Sequence, residues 1–183
     1  AVVVGAGGIG SFLAFALSHR CERVIVADVD PARLATARAL GAALTLDLSA
    51  TSLGKALEAA GERPDVVFEV SGSAAGLEQA VAVAPRGGRV VAVGVQKAPP
   101  PVAMDRVTLD ELELIGTVAH VCATDLSEAL RLLAARPDGW DDVAPVALTL
   151  DELVSEGLEP MAAGAATRIK TLVDPWADAR RES

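Results

Sequence analysis

The stretch AVVVGAGGIGSFLAFALS, residues 1–18, decides the fold. Residues 1–4 are mostly β-branched and show no polar alternation, which is typical of a parallel strand buried on both faces. Four glycines stand among the next six residues, and an Ala-, Leu- and Phe-rich run over 11–18 then predicts a buried helix. This stretch therefore predicts a strand, a glycine turn and a helix.

The composition excludes several classes of protein. Although residues 1–18 carry no charge, no basic segment precedes the apolar run and glycines interrupt it, which argues against a signal peptide or a membrane span. The formal net charge is −9, aromatic residues make up 3% and tyrosine is absent. A nucleic-acid partner, which needs basic grooves and stacking rings, is therefore not expected.

Soft metal ligands are few and scattered. Cys21 and Cys122 lie far apart and form no CxxC pair, and the histidines are His19 and His120. Such cysteines are typical of free thiols in a reducing cytosol, so we expect a cytoplasmic protein without a disulfide framework. We also expect no metal site in this chain, since these four residues form no ligand motif, and we expect His19 and His120 to be surface or packing residues rather than catalytic ones.

Strands and helices alternate at short intervals through the first 120 residues. The predicted strands cover 1–4, 23–27, 43–46, 65–70, 89–93 and 112–118. The helices between them have clear ends; for example, Asp30 is a good N-cap before Pro31, and Gly41 is a good C-terminal stop. This alternation predicts an α/β fold of Rossmann type, a doubly wound parallel six-stranded sheet in a three-layer αβα arrangement.

The C-terminal third gives weaker signals. A helix is predicted over 124–135, a poorer one near Asp151, and a last strand over 168–173. We therefore predict a Rossmann-type domain over 1–148, with its sheet core in 1–120 and its helix ending near 136. Residues 149–183 form a short C-terminal return segment in this prediction.

The glycine turn has the GxGxxG spacing, and its context is right for a dinucleotide site. Gly5 permits the tight turn, Gly7 lets the backbone approach a pyrophosphate, and Gly10 allows the helix to pack closely on the strand. The N–H groups of Gly8 and Ile9 fall at the helix N-terminus, where unpaired donors and the helix dipole attract anions. The turn is therefore predicted to bind the cofactor pyrophosphate.

Asp28 ends the second predicted strand, 18 positions after Gly10. A carboxylate at this point can accept hydrogen bonds from both adenosine ribose hydroxyls, and it repels the 2′-phosphate of NADP. Arg33 is near enough in sequence to reach the ribose edge and to weaken that discrimination. The predicted cofactor is therefore NAD rather than NADP.

Several segments resemble one known family. These segments are VVVGAGGIG at 2–10, VADVDPARLATARALGA at 26–42, DVVFEVSG at 65–72, GGRVVAVGV at 87–95 and ELELIGT at 111–117. Together they resemble the coenzyme-binding half of the zinc-dependent medium-chain alcohol/polyol dehydrogenases, in particular the sorbitol, butanediol and threonine dehydrogenase branch. The resemblance covers most of residues 1–120 and implies hydride transfer between an alcohol or polyol and NAD.

The resemblance also implies further cofactor contacts at the ends of the later strands and near the C-terminus. They are Val70, Ser71, Val93, Gly94, Val95, Thr117 and Lys170. The first two would border the adenosine, the next four would lie near the nicotinamide ring, and the lysine would approach the pyrophosphate. Lys170 is equally well explained as a surface lysine, and Glu69 either as a supporting group behind the site or as a solvated strand end.

In this family the catalytic zinc and its ligands belong to an N-terminal β-rich domain, for which this chain shows no matching segment. We therefore expect a domain fragment that binds NAD but does not turn over, with zinc confined to the absent catalytic domain and an alcohol or polyol as substrate of the complete enzyme. The family forms its dimers through a loop and short strand before the sixth strand. Residues 100–104 would occupy that position, so a homo-oligomer is expected.

Two other functions fit part of the pattern. A non-catalytic NAD-sensing regulatory domain shares the glycine turn and the acid after the second strand. A zinc-free NADPH-type reductase of the same superfamily shares more of the chain. The segments DVVFEVSG, GGRVVAVGV and ELELIGT favour the dehydrogenase over the sensor, and Asp28 argues against an NADPH enzyme.

Overall fold

The computed structural model describes residues 1–166 and 168–182. The chain divides into two compact units, Ala1–Ala119 and His120–Ser183. The first unit contains all of the predicted sheet strands. The predicted domain limit at residue 148 stays a prediction, because compactness alone does not define an evolutionary domain.

A six-stranded parallel sheet forms the centre of the first unit. Its strands are β1 (Val2–Val4), β2 (Ile25–Asp28), β3 (Leu44–Asp47), β4 (Val66–Glu69), β5 (Arg89–Ala92) and β6 (Glu113–Gly116). They lie in the order β3-β2-β1-β4-β5-β6, with every neighbouring pair parallel. The predicted fold class is confirmed, and the strand order reverses between β1 and β4, where such sheets bind ligands.

Helices connect the strands of this unit. They are α1 (Gly8–Ser18), α2 (Pro31–Ala39), α3 (Leu53–Ala60), α4 (Ala74–Val83) and the short α5 (Met104–Leu109). The Asp30 side chain accepts a hydrogen bond from the Ala32 N–H at the start of α2, as expected of its N-cap role. Gly61 ends α3 with a φ of 69°, a left-handed conformation that glycine adopts without strain.

The sheet is packed on both faces because side chains alternate along each strand. Val2 and Val4 belong to one buried cluster, which Leu53 and Leu57 of α3 complete. Val3 belongs to the cluster on the opposite face, which includes Leu34 of α2. Each fully buried valine or leucine contributes about 1.5–3 kcal/mol through burial, so the two clusters hold β1 at the centre of three layers.

The segment before β6 has no strand partner within the described part of the chain. Residues 100–103 are irregular and Met104 begins α5, so the pairing of 100–104 with a second copy stays a prediction. Prolines occupy 99–101 and lack the N–H that a strand ladder requires. α5 has another role, since its Arg106 side chain donates to the Ala84 carbonyl at 2.9 Å, just after α4.

The second unit contains shorter elements. They are α6 (Cys122–Ala134), β7 (Val146–Leu148), a π-helical turn (Leu153–Leu158), α7 (Glu159–Ala162), β8 (Leu172–Val173) and β9 (Arg181–Glu182). β7 pairs with β8 in parallel and with β9 antiparallel. The predicted strand over 168–173 is therefore only two residues long, and β7 and β9 were not predicted. Within the predicted segment 149–183, Thr167 and Ser183 lie outside the described residues.

The helices offer no membrane span. Among the described residues, none of them combines the length and the apolar character needed to cross a bilayer.

Candidate functional site

Three glycines in the turn between β1 and α1 have different structural roles. Gly5 has a φ of 103° and its N–H donates to the Ala27 carbonyl at 2.8 Å, which joins the turn to β2. A Cβ at Gly10 would lie 1.9 Å from the Gly5 carbonyl oxygen, so only glycine fits there. A Cβ at Gly7 would meet nothing within 4 Å. Gly7 is therefore unnecessary for packing, and its missing side chain leaves space on the open side of the turn.

The first turn of α1 supplies hydrogen-bond donors to that space. The Ser11 N–H donates to the Gly7 carbonyl at 2.9 Å and begins the helical ladder, so the preceding N–H groups of Gly8 and Ile9 have no intrahelical acceptor. Gly7 is the N-cap and offers no side chain to them. With 11 residues in the helix, its dipole adds positive potential at this end. The geometry fits a phosphate group.

Asp28 is 8% exposed at the end of β2 and is already hydrogen-bonded. Its Oδ2 accepts from the Ala6 N–H at 2.6 Å, and its Oδ1 accepts from the Asp30 N–H at 2.9 Å. A carboxylate has about four lone-pair positions, so roughly two remain for a ligand. Asp28 thus anchors the glycine turn to β2, a structural role that the sequence did not reveal.

A cleft of about 340 Å³ opens beside Asp28 and the glycine turn. The predicted site residues that line it are Gly5, Gly7, Asp28, Arg33, Val70 and Ser71. Arg33 is partly engaged, because its Nε lies 3.4 Å from the Asp30 carboxylate. The structure thus brings part of the glycine turn predicted for the pyrophosphate together with the residues predicted for the adenosine end.

The loops after β4 and β5 lie against each other. The Val70 N–H donates to the Val4 carbonyl at 2.8 Å, which holds the first loop beside β1. The N–H groups of Val93 and Gly94 both donate to the Glu69 carbonyl, at 2.8 and 3.0 Å. If the backbone of Val93 or Gly94 contacts a ligand, it would therefore do so through the carbonyl group, as a hydrogen-bond acceptor.

Two other predicted residues are exposed. Thr117 follows β6 and is exposed, and its N–H donates to the Ala92 carbonyl at 3.2 Å, which places it beside the end of β5. Lys170 is exposed in the second unit, where its N–H donates to the Val143 carbonyl at 3.1 Å. Its role toward the pyrophosphate stays a prediction.

Sequence reasoning missed two glutamines at this end of the sheet. Gln79 of α4 lines the cleft and accepts a hydrogen bond from the Leu53 N–H at 2.6 Å. Gln96 donates its side-chain N–H to Glu69 at 3.1 Å. Neither glutamine belongs to a motif, so only the tertiary structure could identify them.

A larger cleft, about 700 Å³, lies at the other end of the strands. It lies between the C-terminal ends of α3 and α4 and is lined by both acidic and basic side chains, including Glu58, Glu62, Arg63 and Arg86. Most of its lining comes from the C-terminal ends of the two helices, where the helix dipole is negative and disfavours an anion. The smaller cleft, which is lined by Gly5 and Gly7 of the glycine turn, is therefore the better candidate.

Metal ligands do not converge in the described parts of the chain, 1–166 and 168–182, where no group of three His, Cys, Asp or Glu side chains could hold an ion. Cys21 is partly exposed and Cys122 is exposed. The described residues therefore do not fit a catalytic zinc, which takes three protein ligands and a water.

Comparison with known proteins identifies relatives of the whole chain. The (R,R)-butanediol dehydrogenase of Neisseria gonorrhoeae is 30% identical over 178 residues, which is 96% of this chain and 50% of that protein. The L-threonine 3-dehydrogenase of Anaeromyxobacter dehalogenans (strain 2CP-1) is 29% identical over 185 residues, or 98% of this chain and 51% of that protein. The chain thus spans about half the length of the curated relatives that it matches.

Solved structures share the fold. The 2R,3R-butanediol dehydrogenase of Bacillus subtilis superposes with a TM-score of 0.82 at 25% identity, over 95% of this chain and 50% of that one. A short chain alcohol dehydrogenase from E. coli CFT073, in complex with NADH, has a TM-score of 0.78 at 23% identity, over 94% of this chain and 50% of that one. At this identity the likeness shows a shared fold only. In addition, residues 8–135 match the family described as zinc-binding dehydrogenase. Because that match covers more than half of the sequence, the chain belongs to the zinc-binding dehydrogenase family.

Proposed function

We propose that this chain binds NAD(H) as the cofactor half of an oxidoreductase that transfers hydride between an alcohol or polyol and NAD. The observation that carries the proposal is the open face of Gly7 beside the donors of Gly8 and Ile9, next to a cleft that Asp28 lines. When bound, the nicotinamide accepts or supplies the hydride. The chain's own residues bind and orient the dinucleotide.

Asp28 supports NAD over NADP in this proposal. Its two oxygens keep acceptor positions that suit the adenosine ribose hydroxyls, and its negative charge disfavours a 2′-phosphate at the same point. Arg33 offsets this preference only in part, because its guanidinium is paired with Asp30. The proposed site comprises these two side chains and the glycine turn.

A calorimetric titration with NAD⁺, NADP⁺ and ADP-ribose tests the proposal. We expect NAD⁺ and ADP-ribose to bind and NADP⁺ to bind at least about tenfold more weakly, the effect of roughly 1.4 kcal/mol. Gly7→Ala should weaken the binding of all the ligands that bind the wild-type chain, because the new Cβ enters the space proposed for the phosphates. The melting temperature should stay nearly unchanged, since this Cβ meets no other atom within 4 Å. Failure of the wild-type chain to bind NAD⁺ would refute the proposal.

The substrate and turnover form a second part of the proposal. Butanediol and threonine are the substrates named for two relatives, which suggests a secondary alcohol next to a polar group. We propose that this chain alone binds cofactor without oxidising such alcohols, since its described residues hold no zinc ligand set. Zinc-dependent NADH formation by the purified chain, followed by absorbance, would contradict this part.

Self-association of the chain stays a prediction. Residues 100–103 pair with no strand in the described part of the same chain, so this segment remains the proposed place for pairing with a second copy. Light scattering at high protein concentration tests the prediction: a dimer mass supports it, and a monomer mass rules it out.

A further inference from the structure

Glu69 is a buried acid that the proposed function leaves unexplained. Glu69 is the last residue of β4 and is 0% exposed, whereas Asp28, the last residue of β2, is 8% exposed. Burying a carboxyl group is costly unless hydrogen bonds compensate for the lost water. A group buried at this cost needs a structural or functional reason.

Hydrogen bonds to Glu69 come from two loops. In the loop after β4, the Ser71 hydroxyl and the Gly72 N–H donate to its Oε1 at 2.5 and 3.0 Å. In the loop after β5, the Gln96 side chain donates to its Oε2 at 3.1 Å. The backbone carbonyl of Glu69 adds the two bonds from Val93 and Gly94. One residue therefore joins both loops.

The two loops also touch without intervening side chains. A Cβ at Gly94 would lie 2.2 Å from the Gly72 nitrogen and 2.8 Å from Glu69 Oε2. A Cβ at Gly72, whose φ is 65°, would lie 2.8 Å from the Val95 carbonyl oxygen. The loop after β5 therefore takes its position from the loop after β4 and from the carboxyl group between them.

The strand order shows which end of a dinucleotide this loop would meet. The pyrophosphate is assigned to the turn after β1, and the adenosine ribose to Asp28 on β2. Because β4 and β5 follow β1 on the side away from β2, a dinucleotide lying across the strand ends places its second nucleotide over β4 and β5. In NAD that second nucleotide carries the nicotinamide.

We propose that Glu69 is a positioning residue that, through Gln96, holds the loop after β5 in place for the nicotinamide end of the cofactor. This inference rests on the proposed NAD binding. Glu69 is fully buried and acts through the loop rather than on the ligand. Its effect should therefore fall on the nicotinamide half and spare the adenosine half.

Gln96→Leu is the main test, because it removes the donor to Glu69 and leaves the buried acid in place. We expect NAD⁺ affinity to fall about tenfold, the size of effect expected when a buried hydrogen bond is lost, while ADP-ribose affinity changes less than about twofold. Saturation-transfer NMR on bound NAD⁺ should show weaker signals from the nicotinamide protons relative to the adenine protons. Lys97→Gln, at an exposed neighbour in the same loop, serves as the matched control.

Glu69→Gln is the conservative variant, which should keep the hydrogen bonds between the two loops. Its amide oxygen can still accept from Ser71 and Gly72, and its amide nitrogen can donate to Gln96 after that side chain rotates. We expect nearly wild-type NAD⁺ affinity and NMR ratios in this variant.

The binding data distinguish failure of the proposed NAD binding from failure of the positioning role of Glu69. If the wild-type chain binds neither NAD⁺ nor ADP-ribose, the proposed function falls, and this inference falls with it. If the wild-type chain binds both, and Gln96→Leu changes both affinities equally or changes neither, the positioning role alone is overturned.

Discussion

The two clefts at opposite ends of the parallel sheet differ in size and in chemistry. The cleft at the amino ends of the strands measures about 700 Å³ and is lined by side chains of both charges at the C-terminal ends of α3 and α4. The cleft at the carboxyl ends is half as large, about 340 Å³, but it includes the glycine turn at the start of α1. Backbone donors can be aimed at an anion without any side-chain entropy cost. The glycine turn, rather than the volume of the cleft, is therefore the reason for proposing a phosphate site at the carboxyl ends of the strands.

The strongest change is expected when a glycine packed behind the turn of the smaller cleft is compared with a glycine that lines the larger cleft. Gly10→Ala should destabilise the chain by about 3 kcal/mol, because its Cβ would overlap the Gly5 carbonyl. Gly61→Ala, which lines the larger cleft, has open space but a φ of 69°, so its cost should stay near 1–2 kcal/mol. Urea unfolding measures both values. Equal stability losses would mean that the glycine turn is packed less tightly than the structure shows.

A smaller change, in cofactor affinity, is expected when one charged side chain of each cleft is replaced. Asp28→Asn removes the charge and one acceptor oxygen, so NAD⁺ affinity should fall roughly tenfold and the preference over NADP⁺ should shrink. Arg86→Ala removes a cation from the other cleft and should leave both affinities unchanged within about twofold. Calorimetry on both variants decides the matter. Loss of affinity in Arg86→Ala alone would move the phosphate site to the amino ends of the strands.

The smallest effect concerns Asp47, an exposed acid that pairs in register with Asp28 at the end of β3. The Ser49 N–H, which donates at 2.8 Å, and then the Ser49 side chain hold the pKa of Asp47 below its ordinary value of 3.8. A carboxyl group with a lowered folded-state pKa adds stability above 3.8, and that stability is lost as the pH falls through the folded value.

Asp47→Asn should therefore lower the urea midpoint slightly at neutral pH, and the difference from wild type should vanish as the pH is lowered below 3.8. NAD⁺ affinity should not change, because this acid does not line the cleft. A difference in midpoint that grows toward acidic pH would contradict the assigned cause of the pKa shift.

The sequence predicted the smaller cleft well and its supporting contacts poorly. The glycine spacing, the caps of α2 and α3 and the β-branched runs are local signals, so the sheet and the turn could be predicted from them. The bond from the Ala6 N–H to Asp28 and the bond from Gln96 to Glu69 join residues 22 and 27 positions apart. Such pairs leave no periodic pattern, and they become visible only when the strand ends are brought together.

The segment 100–104 differs, because the strand that the resemblance implies would pair with a second copy and leaves no pairing within one chain. Three consecutive prolines at 99–101 restrict such pairing to the N–H groups that follow them.

A crystal structure of the chain with bound NAD⁺ would show the proposed site itself. We expect the pyrophosphate against the N–H groups of Gly8 and Ile9, and the adenosine ribose within hydrogen-bonding distance of Asp28. A dinucleotide lying between α3 and α4, or one with its adenosine ribose turned away from Asp28, would contradict this expectation.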